Sequence, residues 1–407
     1  MSEAARPWLT IVGIGEDGVA GLGENARAAI SAADLVVGGA RHLALAAPLI
    51  GGRQETWPKP FSLAPVLSRR GEAVCVLASG DPFWHGVGAL LAREVPVCEM
   101  RVFAGQSAFA MAAQRMGWAM QNVVALSLHG LPVARLRPHL SPGRRILALT
   151  SDENGPAEMA ALATRHGFGD SALTVLEALG GPAEAIRRTT AASFDLSGLN
   201  PLNVVALDVV GSPGAAAMPL SPGLPDDWFA HDGQITKREA RALAISALAP
   251  LPGEILWDIG AGAGSVAIEW MLRDASLGAF AIEAVPERAA RIVQNAEALG
   301  VPSLRLVEGR APEALAGLPP PDAVFVGGGA SNPAIIDAAL AALRPGGRLV
   351  VHAVTLETEA VLLACHARLG GSLTRLEIAR ASAVGRMHGW RPAMPVTQWV
   401  YAGKVAP

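Results

Sequence analysis

The chain has 407 residues, 33 Lys+Arg against 36 Asp+Glu, and a formal net charge of −3. This length favours two domains or three small ones. Residue 215 divides it into halves with 17 basic and 18 acidic residues, then 16 and 18, so neither half has the basic excess of a general nucleic-acid binder. Charged residues make up 17% and apolar residues 51%, enough to bury large cores. The uncharged stretch Val209–Pro225 carries four prolines and three glycines, whereas a spanning helix needs about 20 apolar residues; no membrane span is expected. Glu3 stands where a secretion signal would be basic. Cys75, Cys98 and Cys365 are scattered, which argues against a disulfide framework or metal cluster. A soluble cytoplasmic protein without a metal is expected.

In the first half, β-branched runs alternate with Ala/Leu/Arg segments of helical period. Strands are predicted at Leu9–Gly13, Asp34–Val37, Ala73–Ala78, Val97–Phe103, Asn122–Leu126, Ile146–Thr150, Leu173–Leu176 and Val204–Val210, with helices at Glu24–Ala33, Gln106–Met116 and Pro156–His166. The stretch 211–227 is rich in Pro, Gly and Ala and has no hydrophobic periodicity. It suits a linker between domains at 1–210 and 228–407. In the second half, helices are predicted at Ala240–Leu248 and Val266–Leu272. Strands are predicted at Glu254–Ile259, Ala279–Ala284, Leu304–Glu308, Ala323–Val326 and Arg348–Ala353, followed by an antiparallel pair near Thr374–Ala379 and Thr397–Tyr401. Alternating strands and helices of this kind mean α/β layering.

The strongest motif follows the strand at 255–259: Asp258-Ile-Gly260-Ala261-Gly262-Ala263-Gly264. Glycines there allow positive φ and close backbone approach to a ligand. A dinucleotide loop wants G-x-G-x-x-G, whereas the third glycine here comes one residue early. Glu283 ends the next strand, 19 residues past Gly264, where a carboxylate can accept from ribose hydroxyls. Upstream, Asp232-Gly-Gln-Ile-Thr236-Lys-Arg-Glu239 precedes a helix, and Thr236 with Glu239 has the capping-box spacing.

This pattern resembles the Rossmann-like S-adenosylmethionine methyltransferases. Together with Gly346-Gly-Arg-Leu-Val-Val-His352-Ala-Val-Thr355-Leu-Glu357 it is similar, over about residues 229–403, to the decarboxylating precorrin methyltransferases of cobalamin biosynthesis. The resemblance implies that Thr236, Gly260, Ala261, Gly262, Ala263, Gly264, Glu283 and Ala311 line the cofactor. Asp232 and His352 are the acid–base candidates for decarboxylation.

The first half carries a different set: Gly13-Ile-Gly15 with Asp17-Gly18, Gly80-Asp81-Pro82, Ala104-Gly105-Gln106-Ser107, and Ser127-Leu128-His129-Gly130. In this order they resemble the tetrapyrrole (corrin/porphyrin) methylases over about residues 8–210. That family folds as two α/β lobes with the cofactor in the cleft between them, and the resemblance implies cofactor contacts at Gly80, Asp81, Ser107 and Leu128. His85 and His129 fall in that cleft, as contacts or loop supports; His42, His139 and His166 read as surface or core histidines.

Two unlike methyl-transfer folds on one chain resemble the bifunctional precorrin methyltransferases. The expected architecture is a two-lobed tetrapyrrole-methylase fold followed by a Rossmann-like methyltransferase fold. The implied activity is methylation of precorrin-6Y at carbons 5 and 15 with decarboxylation of the carbon-12 acetate, giving precorrin-8. One S-adenosyl-L-methionine site per domain is implied, as is self-association through the C-terminal domain. Thirty arginines against three lysines suit a polycarboxylated substrate. The alternatives are a methyltransferase for another tetrapyrrole, RNA or protein, and a scaffold with one active domain.

Overall fold

The computed structural model describes residues 7–403; Glu3 lies outside them. The chain divides into two compact units. One comprises the residues up to Val133 with His139–Ala216, and the other Ala134–Pro138 with the chain from Ala217 onward.

The first unit holds two five-stranded sheets. Strands β1 (Leu9–Ile14), β2 (Leu35–Gly38), β3 (Arg53–Thr56), β4 (Val74–Ser79) and β5 (Met100–Phe103) form a parallel sheet ordered β3-β2-β4-β1-β5. Alternate residues face opposite layers: Val12, Ile14, Cys75 and Leu77 join one core, while Leu9, Ile11, Val74 and Val76 join the other. Strands β6 (Val123–Ser127), β7 (Arg145–Leu149), β8 (Ala172–Glu177), β9 (Ala185–Thr190) and β10 (Asn203–Asp208) form a mixed sheet ordered β6-β7-β10-β8-β9. The edge strands β3 and β9 were not expected. Arg53-Gln-Glu-Thr56 is polar throughout and β9 alternates exposed and half-buried positions, so neither reads as an apolar run. Residues 97–99, expected as strand, form a 3₁₀ turn before β5.

The second unit carries β11 (Ile255–Ile259), β12 (Gly278–Glu283), β13 (Arg305–Glu308), β14 (Ala323–Val326), β15 (Arg348–Ala353), β16 (Ser372–Leu376), β17 (Ala379–Val384), β18 (Met387–Pro392) and β19 (Val396–Ala402). Seven of them form one sheet ordered β13-β12-β11-β14-β15-β19-β16. Five are parallel, and β19 runs antiparallel to both β15 and β16. From β11 the chain winds outward to β12 on one side and later to β14 on the other. The carboxyl end of β11 is therefore the switch point, where open α/β sheets leave a crevice for ligands. The exposed hairpin β17–β18 was also not expected.

Much of the stretch 211–227 is tied down. Ser212 and Ala216 donate backbone hydrogen bonds to Gly167 and His166 in the first unit. In the second unit, Leu224 is fully buried. There Glu269 accepts from the amides of Gly223 and Leu224 at 2.6 and 2.8 Å, and its partner is Arg241 at 2.6 Å. Both side chains of this pair are wholly buried. Arg241 also donates to the carbonyls of Leu224 and Thr236 and to Asp226, and its guanidinium covers the Phe229 ring at 4.8 Å.

Breaking one side of a buried pair leaves an uncompensated charge. Glu269→Gln is therefore expected to destabilise the second unit by about 3–5 kcal/mol, seen as lost hydrogen-exchange protection in helix Ser265–Met271. The joint change Arg241→Met with Glu269→Leu should cost less than either single change. Unaltered protection in Glu269→Gln would mean that the pair holds nothing in place.

Candidate functional site

In the second unit the crevice is built by the turn between β11 and helix Ser265–Met271. Gly260, Gly262 and Gly264 adopt φ of 69, 59 and 73°, which L side chains avoid. A Cβ on Gly260 would lie 2.9 Å from Gly328, so the turn packs backbone to backbone against Gly327-Gly328-Gly329 after β14. That second glycine run escaped the sequence reading. Its signal was three glycines closing the buried strand Ala323–Val326.

Glu283 ends β12 as expected, and its carboxylate supports the turn itself. It accepts from the Gly262 amide at 2.8 Å and from Val285 at 2.9 Å; each oxygen has a further lone pair for a ligand hydroxyl. Ala263 is buried, and its carbonyl accepts from Asn295 at 2.8 Å. Asn295 also bonds the amide and carbonyl of Ala230, tying the segment before Thr236 to the turn. A Cβ on Gly262 would come 3.5 Å from the Gln234 carbonyl, so this segment overlies the turn.

Thr236 is half-buried and joins that segment to helix Arg238–Leu248. The capping box expected from Thr236 and Glu239 is not formed. The N-cap is Lys237, without a side-chain cap, the Thr236 carbonyl is taken by Arg241, and Glu239 pairs with Arg380. Ala311 follows β13 and packs half-buried against the core.

Asp232 and His352 occupy different surroundings. Asp232 bridges Arg288 at 2.9 Å and Arg291 at 3.1 Å. Hydrogen bonding from Arg288, then from the Gln234 amide, holds its carboxyl down at about 2. His352 lies on β15, two strands from β11. Its Nε2 is 2.9 Å from Gln398 Oε1, and its ring meets Phe325 edge-on at 5.0 Å. Burial lowers its pKa, against the opposing bond to Gln398, so the ring is neutral near pH 7. Nε2–H is then the donor to the amide oxygen.

The first unit has its own cleft of about 690 Å³, lined from both sheets. Three strand ends meet there through backbone. A Cβ on Gly13 would fall 1.7 Å from the Gly80 carbonyl and 2.6 Å from the Gly105 amide; only glycine fits. The Gly105 amide donates to Gly80 at 2.9 Å. Gly80, Asp81 and Ser107 all line the cleft. Asp81 accepts from the Phe83 amide, closing the turn, and Ser107 caps helix Ala108–Met116 through the Ala110 amide at 3.1 Å. Leu128 differs: its side chain is buried, while its neighbours Ser127 and His129 face the cleft. His85 lines the cleft at φ 56° against Phe109.

His42 is neither a surface nor a plain core histidine. It lies on the cleft wall with Glu16, Arg41 and Ser79. Burial, then the Arg41 charge, brings its pKa down to about 4. Sequence spacing gave no hint of this group, because its members come from three separate strand ends.

Asp258, beneath the glycine turn, is 1% exposed and accepts from the Ala267 amide at 3.1 Å. Burial pushes its carboxyl up to about 7; the Ala267 bond opposes this and the Glu283 charge adds to it. Between its ordinary 3.8 and about 7, the folded chain holds a proton that the unfolded chain releases, so stability falls as pH rises through that range. Asp258→Asn removes this slope. Wild type should lose up to about 4 kcal/mol relative to the variant over the range, as thermal unfolding at several pH values would show. Parallel profiles would refute the assignment.

Two family descriptions match the chain: tetrapyrrole (corrin/porphyrin) methylases at residues 8–195 and a precorrin methyltransferase domain at residues 227–403. The chain is 56% identical over 395 residues to the precorrin-6Y C(5,15)-methyltransferase (decarboxylating) of a Sinorhizobium species, covering 97% of this chain and 96% of that one. It is 40% identical over 396 residues to the protein of the same name from Mycobacterium tuberculosis (strain CDC 1551 / Oshkosh), covering 96% and 98%. A crystal structure of the C-terminal domain of precorrin-6Y C5,15-methyltransferase from Rhodobacter capsulatus matches 46% of this chain and 100% of its own, with 49% identity and a TM-score of 0.44. Matched along nearly its whole length by such relatives, the chain belongs to the decarboxylating precorrin-6Y C(5,15)-methyltransferase family.

Proposed function

We propose that this chain methylates precorrin-6Y at carbons 5 and 15 and removes carbon dioxide from the carbon-12 acetate, giving precorrin-8. Residues 1–210 act at carbon 5, and residues 228–407 act at carbon 15 and on the acetate, with 211–227 joining them. The observation that carries this reading is the presence of two glycine-built backbone cradles of different construction, one per unit, each at the carboxyl ends of parallel strands. The reading includes one S-adenosyl-L-methionine site per domain, a cytoplasmic location, and self-association through the C-terminal domain. Val384, Met387 and Trp390 stand exposed on its β17–β18 hairpin, as an interface between copies would require.

The residues present fit the cofactor. In the second unit, Gly260 to Gly264 leave room for close approach and Glu283 has lone pairs to spare, with Thr236 and Ala311 as further proposed contacts. In the first, Gly80, Asp81 and Ser107 surround the cleft floor and Leu128 contributes backbone. S-adenosylmethionine, when bound, supplies a methyl group already made electrophilic by its sulfonium. The chain then has to align that methyl with an enamine-like carbon of the macrocycle and exclude water. Trp57, Phe61, Trp84 and Phe109 make the wall of the first cleft, which serves both ends. Asp232, held ionised by Arg288 and Arg291, braces the segment over the glycine turn and is a poor proton donor. His352, neutral and aligned by Gln398, is the better candidate for moving a proton during decarboxylation.

Incubation with precorrin-6Y and S-adenosylmethionine should give a product with two added methyls and one carbon dioxide fewer, read by mass spectrometry. An unchanged substrate would refute the reading. Gly262→Arg forces a long side chain onto a left-handed position beneath Gln234. It should leave a singly methylated product with every carboxyl retained. If both methylations vanished in a folded variant, the division of labour would be wrong.

A further inference from the structure

The wall of the N-terminal cleft contains a polar group that the methyl-transfer reading does not use. Strands β1 and β4 run parallel with Ile14 opposite Ser79, so Glu16, just past β1, lies near the end of β4. Helix Ala40–Ala46, after β2, adds Arg41 and His42. The Arg41 guanidinium donates to Glu16, to Ser79 Oγ at 2.9 Å and to His42 Nε2 at 2.9 Å. Ser79 Oγ lies 2.8 Å from the same Nε2. An arginine can only donate, so Nε2 is an acceptor. His42 is thus neutral and carries its proton on Nδ1, and the single Nε2 lone pair is shared between Arg41 and the neighbouring Ser79 hydroxyl.

Among the described residues that line this cleft, Arg41 is the one permanent cation. The pair with Glu16 is partly open, with side-chain exposures of 38% and 21%. A pair exposed to that degree contributes little net stability. Only three of the five guanidinium donors are used within the group, and a guanidinium favours a second carboxylate in bidentate form. Ser79 directly precedes Gly80, so the cation stands beside the backbone rim proposed for the cofactor.

We infer that Arg41 anchors a carboxylate side chain of the tetrapyrrole, and that Glu16 is an internal stand-in which the substrate displaces. His42 and Ser79 hold the guanidinium at the wall as positioning residues. The inference rests on the tetrapyrrole reading above and adds the subsite that orients the ring.

The test uses the full chain and two readouts. With precorrin-6Y varied at saturating S-adenosylmethionine, Glu16→Gln should lower KM for the first methyl gain about threefold to tenfold with kcat nearly unchanged, because a competing carboxylate has been removed. Arg41→Ala should raise KM about tenfold or more, and Arg41→Lys should restore part of it. The Glu16→Gln gain should disappear in the Arg41→Ala background, which a merely structural role for Glu16 would not require. Independently of turnover, uroporphyrin binding, read by quenching of Trp57 and Trp84 emission, should tighten in Glu16→Gln. Binding of its octamethyl ester should not. Unchanged or weaker porphyrin binding in Glu16→Gln, or a gain that persists without Arg41, overturns the anchor. Porphyrin binding as expected without methylation of precorrin-6Y would instead overturn the substrate reading and leave the anchor standing.

Discussion

The geometry of the C-terminal crevice depends on one buried ion pair, Arg241 with Glu269. Two charges without solvent contact carry a large desolvation penalty, offset only when geometry is close and the remaining donors and acceptors are filled. Here they are filled mostly by backbone: the amides of Gly223 and Leu224 on the carboxylate, and the carbonyls of Leu224 and Thr236 on the guanidinium. Residues 223–236 have too little regular structure to pack by periodic burial, so these bonds set their path. From that path, Ala230 reaches Asn295 and Asp232 reaches Arg288 and Arg291, and Gln234 comes over Gly262. The end of a segment with the composition of a linker therefore anchors residues 230–236, which roof the site.

The N-terminal cleft reaches a comparable end by another route. Among the described residues no buried ion pair organises its floor; Gly13, Gly80 and Gly105 bring three strand ends within backbone contact. This difference bears on robustness. At Gly13 any side chain collides with main chain, which cannot give way, whereas the space beside Gly262 is open and its limit is chiefly conformational. Volume exclusion dominates at Gly13 and recurs at Gly260 against Gly328, while the second site adds three successive left-handed turn positions and the bonds behind them.

The layering and both glycine rims were legible in the sequence because they rest on local signals: apolar runs of strand length, then glycines at fixed offsets. The sign of the turn at Gly260 to Gly264 was legible for the same reason. What could not be read was anything assembled from distant positions. Arg241 and Glu269 are 28 residues apart, and each looks like an ordinary solvated helix charge. Glu16, Arg41 and Ser79 come together only through the register of β1, β2 and β4. The capping box at Thr236 failed because Arg241 claimed the Thr236 carbonyl and Arg380 claimed Glu239, so tertiary partners outbid a local motif. Edge strands β3 and β9 and the hairpin β17–β18 went unseen since they bury little and show no apolar run.

The electrostatics of the two cradles also distinguish their ligands. Beneath the C-terminal turn lie two carboxyl groups, Asp258 and Glu283, close enough for one to raise the other. A pyrophosphate at that turn would gain from the helix N-terminus but would face this acidic pair, whereas a ligand bearing cationic sulfonium and ammonium groups is attracted by it. Burial raises the Asp258 carboxyl to about 7, so near neutrality it is divided between its two forms, and a bound cation would favour the ionised one. The one-residue shift of the third glycine separates this turn from a dinucleotide loop, while the acid at Glu283 would serve a ribose in either. The N-terminal cleft carries both signs, with Glu16 and Asp81 beside the guanidinium of Arg41 and aromatic rings on its wall, which suits a cationic donor as well as the acidic rim and apolar face of a tetrapyrrole. Within one chain of small net charge, acids stand in both cradles where a cationic donor would lie, and the first adds a cation where an anionic acceptor would lie.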